Sequence, residues 1–247
     1  MAKMIAKTTK RPRTKLRAIR ITRKFTEAPG SVLFEMGQTR ILCTASFEPS
    51  VPPWRAGSGK GWVTAEYNML PSSTTPRKPR PRSGHTDSRG VEIQRLIGRV
   101  LRSVVDFKKL GENTICIDCD VLQADGGTRT AAINGGFIAL TDAVTYGLKH
   151  KHIPENPLTG SVGAISVGRV HNKTILDLDY ELDSQADVDL NVAMTHLGEF
   201  VELQGTGEQS TFSREHLDSM LKLAHQGIRK IITVQKKSLQ RRVTTLT

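Results

Sequence analysis

Four stretches of this sequence combine residue types able to do chemistry, and the first is Gly126-Gly127-Thr128-Arg129. It lies between an alternating run, Thr114 to Gln123, and a helical run, Ala131 to Leu148, so it reads as a glycine turn entering a helix. Glycines let a backbone approach an anion, a helix start offers free N–H groups and a positive dipole end, and arginine adds a planar fork of donors. The chemistry is phosphate binding. It is not that of a Walker loop, whose G-x-x-x-x-G-K-[ST] spacing is absent. The plainer reading is a turn and nothing more.

Arg89 comes second, just ahead of a helix whose apolar spacing starts near Glu92. A solvated surface arginine is the ordinary fate of such a residue. Two arginines at separate helix starts, however, can grip one phosphate from both sides. The third stretch is acidic: Asp177, Asp179, Glu181, Asp183, Asp187 and Asp189 crowd together in an otherwise basic chain. The first four alternate with Leu176, Leu178, Tyr180 and Leu182, so on a strand their carboxylates share one face and repel unless a cation sits among them. A divalent cation, Mg2+ or Mn2+, is one natural partner, and a solvated outer sheet face is the plainer reading. The fourth is Arg77, Lys78, Arg80, Arg82 and Arg89, basic positions with no aromatic residues between them, suited to gripping an RNA backbone or to remaining a flexible loop.

The elements that must hold these residues follow from periodicity. Strands are expected at Ala18 to Phe25, Ser31 to Met36, Thr39 to Ser46 and Gly61 to Leu70, then a long exposed loop from Pro71 to Gly90. Ile93, Leu96, Ile97, Val100, Leu101 and Val104 predict a helix over Glu92 to Val105. The strand Thr114 to Gln123, the glycine turn and the helix to Leu148 complete a first unit. Beyond Pro154 to Pro157, strands are expected at Gly163 to Val170, Thr174 to Leu182, Val188 to Thr195 and Glu199 to Gln204. A last helix runs from a Ser213 cap to about Gln235, with Phe212 and Leu217 placed as a hydrophobic staple. Two units, each with strands first and helices after, predict an α+β architecture. The expected domains are a basic arm over 1–15, one unit over 16–150 and a second over 158–240.

Composition narrows the partners. Lysine and arginine number 36 against 24 acids in 247 residues, and a net charge of +12 favours a polyanion such as nucleic acid. No acid precedes Glu27, so the start reads as a basic arm that touches RNA or simply stays disordered, or less well as an organelle transit sequence. No run approaches the ~18 apolar residues a membrane helix requires, and the expected location is the cytoplasm, with no membrane partner. Of three cysteines, Cys116 and Cys119 form a C-x-x-C, but residues three apart on a strand face opposite sides and cannot share a metal, so core packing is expected.

Four long motifs carry a resemblance. GKGWVTAEYNMLP from Gly59 to Pro71, EIQRLIGRVLR from Glu92 to Arg102, IDCDVLQADGGTRTAAI from Ile117 to Ile133 and FVELQGTGE from Phe200 to Glu208 resemble the ribonuclease PH family, in order and over roughly Leu16 to Gln235. The resemblance implies two β-α halves of the ribosomal protein S5 domain 2-like type. It implies a phosphorolytic 3′-to-5′ exoribonuclease acting on precursor tRNA, with possible rRNA substrates, inorganic phosphate as co-substrate and nucleoside diphosphates as products. It further implies that Arg89, Gly127, Thr128 and Arg129 hold the phosphate, and that Asp183 and Asp189 form the acidic pair associated with Mg2+ and proton transfer. Arg77, Arg80 and Arg82 fall in its RNA-binding loop, and its protomers form a homohexameric ring, a trimer of dimers. Two rivals are a catalytically silent RNA-binding ring subunit of the exosome type and a hydrolytic ribonuclease. The chain departs from the family's usual Arg-x-Asp-Gly-Arg start, having Arg11-Pro12-Arg13-Thr14-Lys15, and it carries Ser72 where arginine is common.

Overall fold

The computed structural model describes residues 11–80 and 87–241. Its first half opens with β1 (Ile19–Arg23), β2 (Gly30–Met36) and β3 (Thr39–Glu48), followed by β4 (Trp62–Met69), α1 (Ser88–Arg102), the short α2 (Phe107–Leu110), β5 (Thr114–Gln123) and α3 (Thr128–Lys149). The second half contains β6 (Val162–Val170), β7 (Lys173–Leu176), the short α4 (Tyr180–Asp183), β8 (Val188–Thr195), β9 (Phe200–Gly207) and α5 (Arg214–Gln240). The strands form two sheets, ordered β1-β2-β3-β5-β4 and β7-β6-β8-β9. All neighbours are antiparallel except β4 and β5, which α1 connects as a parallel crossover.

Alternation explains the first sheet. Val32, Phe34 and Met36 of β2, Ile41, Cys43 and Ala45 of β3, Val63, Ala65 and Tyr67 of β4, and Ile115, Ile117, Cys119 and Val121 of β5 all point into one core. Cys119 therefore packs inside, while Cys116 lies half-buried on the other face, its thiol pushed up to about 12 chiefly by burial. The two cysteines thus lie on opposite faces of the strand, as their spacing required.

Helix α3 is the keystone. It packs on β2 and β3 from one side and on β6 from the other. Its residues from Ala131 to Leu140 are buried all round, as expected of a helix with protein on every side. The one polar side chain within that stretch is satisfied: Asn134 donates to the Ala164 carbonyl at 2.9 Å and accepts from the Ala164 N–H at 2.8 Å. Gln235 of α5 adds bonds to the Asn134 and Val162 carbonyls, each at 3.3 Å. This buried glutamine sits where the apolar stripe was expected to end, and α5 continues to Gln240. Ser213 caps α5 as expected, in a reciprocal box with His216.

Two boundaries differ near the basic loop. Pro71 to Ser73 form a tight turn with Pro71 and Ser73 buried, and the Ser73 carbonyl accepts from the Ala124 N–H at 2.9 Å. At its other end the loop gives way to α1 at Ser88, so Arg89 belongs to the first turn of that helix instead of preceding it. The periodicity missed this turn because its first residues, Ser88, Arg89 and Gly90, are not apolar.

Candidate active site

The glycine turn stands between β5 and α3 as the sequence required. Gly126 and Gly127 have φ of 71° and 63°, left-handed values that glycine adopts without steric cost. Thr39 fixes the turn from β3, donating to the Gly126 carbonyl at 2.8 Å and accepting from the Asp125 N–H at 3.0 Å. Arg17 fixes it from the other side, donating to the carbonyls of Asp125 and Gly126. With its carbonyls engaged, the turn leads into the free N–H groups of α3.

Thr128 opens α3 and is buried; its Oγ1 accepts a bond from the Tyr67 hydroxyl at 2.9 Å. Arg129 follows, half-buried, with Nη1 donating to Gln204 Oε1 at 2.5 Å and lying 3.5 Å from Glu92 Oε1. Gln204 also donates to Glu92 at 3.3 Å, so α1, α3 and β9 converge on this guanidinium. Arg89 is exposed in the first turn of α1. The charges of Arg89 and Arg129 both act on Tyr67 and both act on Asp183, so the two helix-start arginines border one region from different elements.

The acids are arranged differently from the expectation. The strand predicted over Thr174 to Leu182 stops at Leu176. Asp177 turns the chain with φ of 61° and is 1% exposed, and its carboxylate accepts from the Arg17 backbone at 2.7 Å and the Arg17 side chain at 2.7 and 3.0 Å. Arg11 lies 3.4 Å from the same carboxylate. Asp179 caps the single turn of α4 by accepting from Leu182 N–H at 3.0 Å, and Asp183 ends that turn. The four carboxylates therefore do not share a strand face. A long-range ion pair and a helix cap have overridden local alternation.

Asp183 and Asp189 nevertheless come together. Burial raises the pKa of Asp183 first, Glu208 adds to this, and Arg89, Arg129 and Arg17 oppose it. Asp189, on β8, is pushed up to about 6 by burial and then by the charge of Asp183. One oxygen of Asp189 accepts from Asn191 at 3.0 Å, and the other is buried with no partner. Such a pair calls for one compensating positive charge, a proton or a cation. Among the described residues no group of three or more His, Cys, Asp or Glu side chains is arranged to hold a metal.

Arg77 and Arg80 are exposed on the basic loop, and Lys78 pairs with Asp87 just before α1. Arg82 lies outside the described residues. Sequence reasoning gave no site role to Arg17 or Thr39, and quoted Tyr67 and Gln204 within motifs without giving either a role. Tyr67 was detectable from its inward parity on β4, which places a hydroxyl in an apolar core. No local pattern links Arg17 to Asp177, 160 positions away.

Fold and site together define an α+β protein that presents a glycine turn at a helix start and two helix-start arginines beside a half-buried acid pair. Residues 15–145 match the model of the 3′ exoribonuclease family, domain 1, and residues 160–227 match that of domain 2 of the same family. The chain is 55% identical over 235 residues to Ribonuclease PH of Rhodopirellula baltica, covering 93% of this chain and 96% of that protein. It is 54% identical over 231 residues to Ribonuclease PH of Corynebacterium glutamicum, covering 93% and 94%. Among solved structures it resembles the Archaeoglobus fulgidus exosome with RNA bound to the active site, with a TM-score of 0.75 at 20% identity over 91% of this chain and 90% of that one. An archaeal exosome core gives 0.73 at 20% identity over 92% and 89%. At such identity the likeness is one of fold. The chain belongs to the ribonuclease PH family of 3′ exoribonucleases.

Proposed function

We propose that this protein shortens RNA from its 3′ end by phosphorolysis. Orthophosphate, held by Arg89, the Gly127 turn, Thr128 and Arg129, attacks the last phosphodiester phosphorus. The P–O3′ bond breaks, a nucleoside diphosphate leaves, and the proton brought by phosphate ends on the freed 3′ oxygen. Both reactants are anions, so positive groups must offset their repulsion before they meet. The observation that carries this reading is the pair of arginines at two helix starts whose charges both reach Asp183.

Asp183 and Asp189 would hold Mg2+ or Mn2+. The unpartnered Asp189 oxygen and the mutual repulsion of the pair suit a cation, and two carboxylates plus substrate phosphates suffice for magnesium. Bound there, the ion would stabilise charge on the departing oxygen. The protein's own contribution is to orient the phosphate, hold the acids close and present Arg77, Arg80 and Arg82 to the RNA backbone.

Precursor tRNA is the proposed substrate, the cytoplasm the proposed location and a homohexameric ring the proposed assembly. Among the described residues no helix is long and apolar enough to cross a membrane. Exposed Phe200 and Leu203 on β9, an edge strand, support burial against another protomer. A silent ring subunit would have no use for Arg89, Thr128, Arg129, Asp183 and Asp189 together, which favours the enzyme. Product analysis decides: trimming of a 3′-extended tRNA should require orthophosphate and release only nucleoside diphosphates. Monophosphates would mean hydrolysis, and no release would mean a binding subunit.

A further inference from the structure

Tyr67 lies where three elements meet. Its ring is 2% exposed on the inward face of β4. A Cβ added to Gly90 would stand 3.4 Å from the Tyr67 carbonyl, so the turn of α1 that carries Arg89 rests against this residue. Its hydroxyl donates to Thr128 Oγ1 at 2.9 Å, at the first residue of α3. A phenylalanine would fill nearly the same space. A buried hydroxyl is costly unless bonded, and Thr128 is the partner that offsets that cost here.

A threonine hydroxyl has one proton and two lone pairs, and left alone it rotates among staggered positions. Once a fixed donor occupies a lone pair, the remaining proton must point away from that donor. We propose that Tyr67 is a positioning residue for the phosphate site: by donating to Thr128 Oγ1 it turns the proton of Thr128 toward the bound orthophosphate. Burial holds the phenol above its ordinary pKa, so Tyr67 remains a donor throughout the neutral range. The inference rests on the phosphate site proposed above and adds to it a residue that itself touches no substrate.

The test compares Tyr67→Phe, Thr128→Val and the double variant in the full-length protein, with KM for orthophosphate and kcat measured on one RNA. Tyr67→Phe should raise the phosphate KM roughly five- to tenfold, the loss of one oriented hydrogen bond, with kcat within about twofold and Tm nearly unchanged. The double variant should be no worse than Thr128→Val, because both changes remove the same interaction. In a Thr128→Ser background, which keeps the hydroxyl, Tyr67→Phe should retain its effect. An unchanged phosphate KM in Tyr67→Phe, effects that multiply in the double variant, or a fall in kcat and Tm together would overturn the role of Tyr67. If Thr128→Val itself leaves the phosphate KM unaltered, the phosphate site is misplaced, a separate failure.

Discussion

Two stretches of this chain alternate acids with apolar residues, and they fold in opposite ways. In β5, Asp118 and Asp120 stand side by side on the outward face of a strand whose inward residues are Ile115, Ile117, Cys119 and Val121. From Asp177 to Asp183 the same alternation dissolves into a left-handed residue, a cap and one helical turn. The neighbours explain the contrast. β5 pairs with β3 on one side and β4 on the other along its length, so its backbone groups have fixed partners. β7 is an edge strand with only β6 beside it, paired over four residues, and it can leave the sheet where Arg11 and Arg17 offer Asp177 something better. At the end of this short edge strand, local alternation yields to a distant ion pair.

The strongest way to break this contrast is Asp177→Ala. Arg17 and Arg11 would lose their buried partner, and removing one member of such a pair costs about 3–5 kcal/mol. Thermal unfolding should show a Tm lower by roughly 10 °C. Arg17 also holds the Asp125 and Gly126 carbonyls, so the phosphate KM of the surviving folded protein should rise. A Tm within ~2 °C of the parent would remove the ion pair as the cause of the bend.

Asp189→Asn should act in the opposite direction on stability. Its folded pKa of about 6 exceeds the unfolded value near ~3.9, so the folded state binds this proton more tightly. That favourable contribution is complete below the unfolded value and is lost as pH rises through 6. In chelator at pH 8, asparagine should therefore stabilise the protein by up to roughly 2–3 kcal/mol, and the advantage should vanish toward pH 4. Denaturant titrations across that range measure it, and RNA trimming by the same variant should be lost. A gain independent of pH would mean that the carboxyl is not strained by burial and by Asp183.

The smallest effect belongs to the orderly strand. Burial and then Asp120 raise the pKa of Asp118, so Asp118→Asn should stabilise at pH 8 by roughly 0.5 kcal/mol or less, fading on acidification, with RNA trimming unchanged. A marked loss of activity in this variant would give the outer face of the first sheet a function that its geometry does not suggest.

Legibility in the sequence followed the same division. The strands Thr114–Gln123 and Val188–Thr195 coincide with their expected limits, and each lies between two neighbours in its sheet. The glycine turn was readable because left-handed glycines before a helix leave a compositional mark. Arg89, Thr128, Arg129, Asp183 and Asp189 could be named from motifs, whereas what orients them could not. Tyr67 reaches Thr128 across 61 positions and Arg129 reaches Gln204 across 75, contacts set by how the sheets and helices pack. The Asp177 bend was misread for the same reason: its cause lies at Arg11 and Arg17, far outside any local window.

The decisive experiment for a phosphate clamped by two helix-start arginines is Arg89→Ala, assayed for phosphate dependence and for RNA affinity side by side. The phosphate KM should rise at least about tenfold while the dissociation constant for RNA stays within roughly twofold, since a charge-assisted contact to the small anion is lost and the basic loop is intact. An unaltered phosphate KM with collapsed RNA affinity would place Arg89 on the polymer and leave orthophosphate without its clamp.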